Sequence, residues 1–186
     1  ARKIMNTEVT KEMLDAENYD AVVIAVGSEP FIPNLPGIDK PHVHWAPDAE
    51  TGKCEVGNKI VVVGAGAVGL EAAIHYLDDG KEVTVIEMLD AKGAAKKLHE
   101  SSATVATEFC KIIDERKMPV YYGTGLSEIK DNSIVCKDVA TGELKEFECD
   151  TVLLAMGMRA RKDKVAELRH CAPETSVFVV GDATKA

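Results

Sequence analysis

Three glycines, at 64, 66 and 69 in the run Gly64-Ala65-Gly66-Ala67-Val68-Gly69, stand at the spacing with which a backbone turn can cradle an anion. In such a turn the first glycine permits a tight bend, the second lets the main chain approach a pyrophosphate, and the third lets a helix pack closely on a strand. Further on, Glu87 closes an apolar stretch at a position where a carboxylate can accept hydrogen bonds from the ribose hydroxyls of an adenosine. The same charge would repel a 2′-phosphate, so the pair of features predicts a dinucleotide site that prefers NADH to NADPH. Lys92, Lys96 and Lys97 are the cations that follow, and they read as the exposed surface of a helix or loop. Glu71, two residues past the third glycine, could face either the cofactor cleft or solvent; near a helix N-terminus it is favourable without any ligand.

Other chemistries have little local support. Of the histidines at 42, 44, 75, 99 and 170, the pair His42-x-His44 on an extended segment would put both imidazoles on one side, but no third ligand is in sight and no metal site is expected. Cys54, Cys110, Cys136, Cys149 and Cys171 form no Cys-x-x-Cys and read as reduced thiols. With 22 Lys and Arg against 31 Asp and Glu, the net charge of -9 argues against a nucleic-acid partner, which would call for a basic stripe. No apolar run approaches the roughly 18 residues of a membrane span. The opening Ala1-Arg2-Lys3-Ile4 lacks the apolar stretch of a signal peptide, so cytoplasmic is the default compartment.

The elements that must position these residues follow from hydrophobic pattern and punctuation. Before the glycines, Lys59-Ile60-Val61-Val62-Val63 reads as a buried strand; after them a helix runs from Leu70 to Asp79, with Gly80 as a left-handed cap; then comes the strand Glu82 to Glu87. Strand, glycine turn, helix and strand make a βαβ unit, the context that raises the glycine spacing above a chance pattern. A helix from about 102 to 117 carries Val105, Phe109, Ile112 and Ile113 on one face and leads to a third parallel strand at 119–122. Short stretches near 126–130, 133–138 and 143–149, separated by Asp131-Asn132 and Thr141-Gly142, predict an antiparallel meander. A strand at 151–155 ends at Gly157. Two more, at 20–26 and 177–180, end at Gly27 and at Gly181-Asp182. Between Pro30 and Pro47 five prolines predict an extended linker joining two domains.

Three of these segments carry a family resemblance. The strand Val22 to Val26 with Gly27-Ser28-Glu29-Pro30, the turn Gly64 to Gly69 with Leu70-Glu71, and the strand Val177 to Val180 with Gly181-Asp182, in that order, resemble the FAD- and NAD(P)-binding flavoprotein reductases of the pyridine nucleotide-disulfide oxidoreductase superfamily. The wording of Gly52-Lys53, of Gly57-Asn58-Lys59 and of Met156-Gly157-Met158-Arg159 is most similar to the C-terminal half of the 2,4-dienoyl-CoA reductase and enoate reductase group, related to old yellow enzyme.

The resemblance implies a Rossmann-like three-layer α/β domain at 55–158 with a parallel sheet and an antiparallel meander. Segments 1–54 and 159–186 would be remnants of an FAD-binding domain. It also implies that the chain is a fragment of a parent flavoprotein whose remaining domains are its partners and whose small-molecule substrate binds elsewhere. The strands at 20–26 and 177–180 would then pair with each other or with a second chain. Gly64 to Gly69, including Ala65, Ala67 and Val68, would hold NAD; Gly157 and Glu71 would lie near the nicotinamide, and Asp182 would touch FAD in the full-length parent. Catalysis would consist of placing NADH for hydride transfer to the flavin. Two other classes stay open: a fragment of an NADH oxidase or disulfide reductase-type flavoenzyme, and a non-catalytic dinucleotide-binding regulatory module.

Overall fold

The computed structural model describes residues 2–17, 19–171 and 176–185. Residues 1, 18, 172–175 and 186, all in the segments expected to be FAD-domain remnants, lie outside the described residues. The chain divides into two compact units, one of residues 1–31 with 158–186 and the other of residues 32–157.

The first unit opens with α1 (Lys11–Glu17), β1 (Ala21–Ile24) and β2 (Ser28–Pro30). The second begins with β3 (Val43–Trp45), α2 (Ala46–Glu50), β4 (Lys59–Val63), α3 (Ala67–Asp78) and β5 (Glu82–Ile86). It continues through α4 (Ala91–Ser101), α5 (Ala103–Arg116) and β6 (Val120–Tyr121). Strands β7 (Thr124–Ile129), β8 (Ser133–Asp138), β9 (Leu144–Glu148) and β10 (Thr151–Leu154) complete it. The chain then rejoins the first unit with β11 (Met158–Ala160), α6 (Lys162–Cys171), β12 (Ser176–Val179) and a 3-10 turn at Gly181–Ala183.

The larger unit is built in three layers. Its centre is a parallel sheet of order β3-β10-β4-β5-β6. In β4, Ile60 and Val62 pack with the helices, whereas Val61 and Val63 pack with the meander, and in β10 Leu153 takes the helix side while Val152 and Leu154 take the other. That division explains the unbroken apolar runs: a parallel strand covered on both faces has no polar side to alternate with. The helix layer contributes Ala46 and Ala49 of α2, Leu70, Ala72, Ala73 and Tyr76 of α3, Leu98 of α4 and Ala106 of α5. The opposite layer is the antiparallel sheet β7-β8-β9, which places Ile129, Ile134, Cys136 and Phe147 against the central strands.

Two expectations are corrected here. The proline-rich stretch is not an extended linker throughout, because β3 joins the parallel sheet as an edge strand and α2 buries Ala46 and Ala49. Its prolines fall where a missing N–H costs little: Pro41 precedes the strand and Pro47 stands in the first turn of the helix. By internal contacts the two units divide at 31/32 and 157/158; the domain bounds expected from sequence are 54/55 and 158/159. Helix α3 also begins earlier than Leu70, at Ala67 inside the glycine run. Helices α4 and α6 were not anticipated; α4 is capped by Asp90, whose carboxylate accepts from the Gly93 N–H at 2.7 Å.

In the smaller unit β1 and β12 pair in parallel, from Ala21 opposite Ser176 to Ile24 opposite Val179, so each strand takes the other along one edge. Strands β2 and β11 pair antiparallel, with Arg159 Nε donating to Glu29 at 2.7 Å. Among the described residues no helix is long and apolar enough to cross a membrane.

All five cysteines are free thiols. Cys136 and Cys149 lie in the core between sheet and meander, where burial pushes their pKa values up to about 12 and about 11. Since the thiolate is the nucleophile, both should resist alkylation at about pH 8 while exposed Cys110 is labelled. Peptide mass spectrometry of the alkylated native chain checks this; labelling of Cys136 at the rate of Cys110 would show that the meander does not cover the sheet.

Candidate functional site

The glycine turn sits at the C-terminal end of β4, where the sheet changes direction of growth: β5 and β6 extend to one side, β10 and β3 to the other. In open α/β sheets the crevice outside such a switch point is where ligands bind. Gly64 leaves the strand at φ +110, a conformation that L side chains rarely adopt, and its N–H donates to the Ile86 carbonyl at 2.8 Å. A Cβ on it would stand 2.4 Å from the carbonyl oxygen of Ala155, just beyond β10. Gly69 is as confined, since a Cβ there would fall 1.9 Å from the Gly64 carbonyl oxygen. Gly66 differs, because a Cβ on it would meet nothing within 4 Å.

That contrast assigns the three positions. Gly64 and Gly69 are required by the protein's own packing, while the open space beside Gly66 is what a pyrophosphate needs in order to reach the main chain. Gly66 is also the N-cap of α3, and no side chain makes a capping hydrogen bond there. The first-turn N–H groups of a 12-residue helix, with exposed Val68 among them, therefore point their partial positive charge at this space.

Glu87 lies beside the turn, directly after β5. Its backbone N–H donates to the Tyr121 carbonyl at 2.9 Å and its own carbonyl accepts from the Thr124 N–H at 2.8 Å. One carboxylate oxygen accepts from the Ala65 N–H and the other from the Leu89 N–H, both at 2.8 Å. A carboxylate has about four lone-pair sites, so two stay available for ribose hydroxyls. Tyr122 reaches the same neighbourhood: burial raises its phenol above the ordinary value, and the charges of Cys110, Glu87 and Asp114 add to the shift. Lys92 and Lys97 are exposed on α4, and Lys96 pairs along that helix with Glu100 at 3.9 Å.

Other predicted residues distribute unevenly. Gly157, at φ +97 and exposed, follows Ala155 by two residues, and Ala155 is tied to β4 by its N–H on the Val63 carbonyl at 2.9 Å. Glu71 is exposed on α3 and its charge acts on Glu50 of α2, whose carboxyl is raised first by burial and then by Glu71, with His75 opposing. Asp182 belongs to the smaller unit, exposed on the 3-10 turn after β12. The sequence marks Ala155 only as the end of the strand running into Gly157, not as the neighbour of Gly64; the signal is the same grammar as β4 running into Gly64. His42 and His44 line a cleft of about 380 Å³ with Glu55, Asp150 and Thr151 at the opposite, N-terminal edge of the sheet. Among the described residues no three His, Cys, Asp or Glu side chains are gathered as metal ligands.

The chain is similar to known proteins in sequence and in fold. The family model described as pyridine nucleotide-disulphide oxidoreductase matches residues 1–185. Cinnamate reductase of Clostridium sporogenes is 29% identical over 182 residues, which cover 97% of this chain and 26% of that protein. Bilirubin reductase of Mediterraneibacter gnavus is 32% identical, covering 94% of this chain and 26% of the relative. Among solved structures, a 2-naphthoyl-CoA reductase in complex with 2-naphthoyl-CoA matches with a TM-score of 0.78 and 27% identity, over 97% of this chain and 26% of that one. The chain thus spans about a quarter of the length of these proteins.

The three glycines can be separated by experiment. Gly64→Ala should lower stability by at least about 1–3 kcal/mol, the scale of a strained backbone, with the Cβ clash adding to it, and Gly69→Ala by about 1–3 kcal/mol through the clash of its Cβ with the Gly64 carbonyl oxygen alone. Gly66→Ala should cost no more than about 1 kcal/mol, the preference of an N-cap for glycine over alanine, because its Cβ meets nothing. Urea denaturation of the three variants measures this; equal losses at all three positions would refute the division.

Proposed function

The chain belongs to the pyridine nucleotide-disulphide oxidoreductase family, and on that premise we propose that it is the NADH-binding portion of a flavin-dependent oxidoreductase. It places the nicotinamide for hydride transfer to FAD, and the electrons pass on to a substrate site outside these residues. The observation that carries this reading is the open face of Gly66 at the switch point, between a helix N-terminus and the Glu87 carboxylate. The group that fits there is a dinucleotide: a pyrophosphate against Gly66 and the first turn of α3, and an adenosine ribose against Glu87. When bound, NADH supplies a hydride from its nicotinamide ring. The protein's own residues bind and orient, which is most of what such a transfer requires.

Gly64 and Gly69 keep the turn compact, Ala65, Ala67 and Val68 present main-chain N–H groups, and Gly157, beyond the strand adjoining β4, lines the nicotinamide side of the crevice. Glu71, on α3 beyond the glycines, is a further candidate for that side. The family resemblance assigns Asp182, on the 3-10 turn of the smaller unit after β12, to FAD in the full-length parent. The relatives named for reducing cinnamate, bilirubin and 2-naphthoyl-CoA favour an unsaturated organic acceptor for the whole protein, in the manner of the enoate and 2,4-dienoyl-CoA reductases.

Hydrogen bonds from ribose hydroxyls to an ionised carboxylate contribute about 1.5–3 kcal/mol, and a 2′-phosphate facing Glu87 would forfeit them. NADH should therefore bind at least about tenfold more tightly than NADPH by calorimetry, and Gly66→Ala should weaken NADH by a similar factor with its stability retained. NADPH binding as tight as NADH would remove Glu87 from the ribose and point to Lys92, Lys96 or Lys97. Full NADH affinity in Gly66→Ala would place the pyrophosphate elsewhere.

FAD is a different case for this chain. The sequence holds no second Gly-x-Gly-x-x-Gly, and one Asp182 contact, about 1.5–3 kcal/mol, does not offset the roughly 4–15 kcal/mol lost on immobilising a ligand. The purified chain should be colourless; a flavin absorbance band near one equivalent would show that residues assigned here to other roles hold FAD.

A further inference from the structure

Four hydrogen bonds converge on Glu87, and none of them needs a nucleotide. Through its backbone it joins Tyr121 and Thr124; through its carboxylate it holds the N–H groups of Ala65 and Leu89. Ala65 is 5% exposed, so its N–H is shielded from bulk water and held by this carboxylate instead. It also lies between two glycines, in the stretch of the turn with the greatest backbone freedom. The partner that restrains this stretch is thus a side chain carried by the next strand.

We propose that Glu87 is the positioning residue of the glycine turn as well as a ribose acceptor: its carboxylate clamps the Ala65 amide and so keeps the following N–H groups of α3 aimed at the pyrophosphate. The inference rests on the dinucleotide assignment of this site but adds a role that no ribose contact implies. With two lone-pair sites given to Ala65 and Leu89 and two left over, the carboxylate serves both roles at once. It follows that discharging Glu87 does not convert the site to NADPH. Relief of repulsion at the 2′-phosphate is outweighed by a loosened turn that binds the pyrophosphate common to both cofactors.

The test uses the full chain with Glu87→Ala and the near-isosteric Glu87→Gln. Amide exchange by NMR without nucleotide reads the clamp, and calorimetry with NADPH reads its consequence. In Glu87→Ala the Ala65 amide should exchange at least about tenfold faster, the factor expected from loss of one hydrogen bond to a charged group. The Val62 amide, inside β4, should keep its rate, which separates local release from general destabilisation. NADPH affinity should fall below wild type in the same variant. Glu87→Gln, with one acceptor oxygen in place of two, should lie between wild type and Glu87→Ala in both measurements, a partial rescue that general loss of stability would not give. An unchanged Ala65 rate, or NADPH bound by Glu87→Ala at least as tightly as by wild type, overturns the proposal. Failure of the ribose assignment would show instead in wild-type chain binding NADPH as well as NADH, which leaves the exchange rate of Ala65 untouched.

Discussion

The main chains of Gly64 and Ala155 come so close that a single added carbon would lie 2.4 Å from a carbonyl oxygen. That approach is possible because β4 and β10 are hydrogen-bonded neighbours whose ends diverge, one into α3 and the other toward Gly157. The helix N-terminus with the bare face of Gly66 follows the end of β4, and the exposed Gly157 follows the end of β10.

Adjacency in turn depends on the cores above and below the sheet. Val61, Val63, Val152 and Leu154 on one face and Ile60, Val62 and Leu153 on the other are nearly all sealed from solvent, so register between β4 and β10 cannot slip without exposing one set. A strap at the strands' other end reinforces the same register. The Asp150 carboxylate accepts from the Asn58 and Lys59 N–H groups at 2.9 Å each, and these bonds hold its pKa low although burial alone would raise it. Gly57 presses so near this carboxylate that a side chain there would displace it.

Electrostatics at the site run against the usual handling of an anion. The chain carries a net charge of -9, and the charged group bonded directly to the turn is Glu87, a carboxylate. Positive potential therefore comes from backbone dipoles at the start of α3, which are fixed in direction and need no counter-charge. On the proposed reading such a site would select by shape, admitting a pyrophosphate laid along the helix end and resisting a further phosphate beside Glu87.

Much of this was legible from local pattern. Strand, glycine turn and helix depend on near-neighbour sterics and on period, so β4, α3, β5, the meander and the cap at Gly80 all followed from residues a few positions apart. The stretch from Pro30 to Pro47 misled because propensity records what proline forbids, whereas an edge strand and the first turn of a helix leave room for it at Pro41 and Pro47. Helices α4 and α6 carry few large apolar residues, Leu98 in the one and Val165 and Leu168 in the other, and were not recognised. What the tertiary structure alone decided is which distant segments share the crevice. Ala155 behind Gly64, the Ala65 amide on Glu87 and the separation of Asp182 into another unit all join or part residues remote in the chain. Those relations are set by how the two sheet faces are covered, and that is a property of the packed whole which no local window of sequence contains.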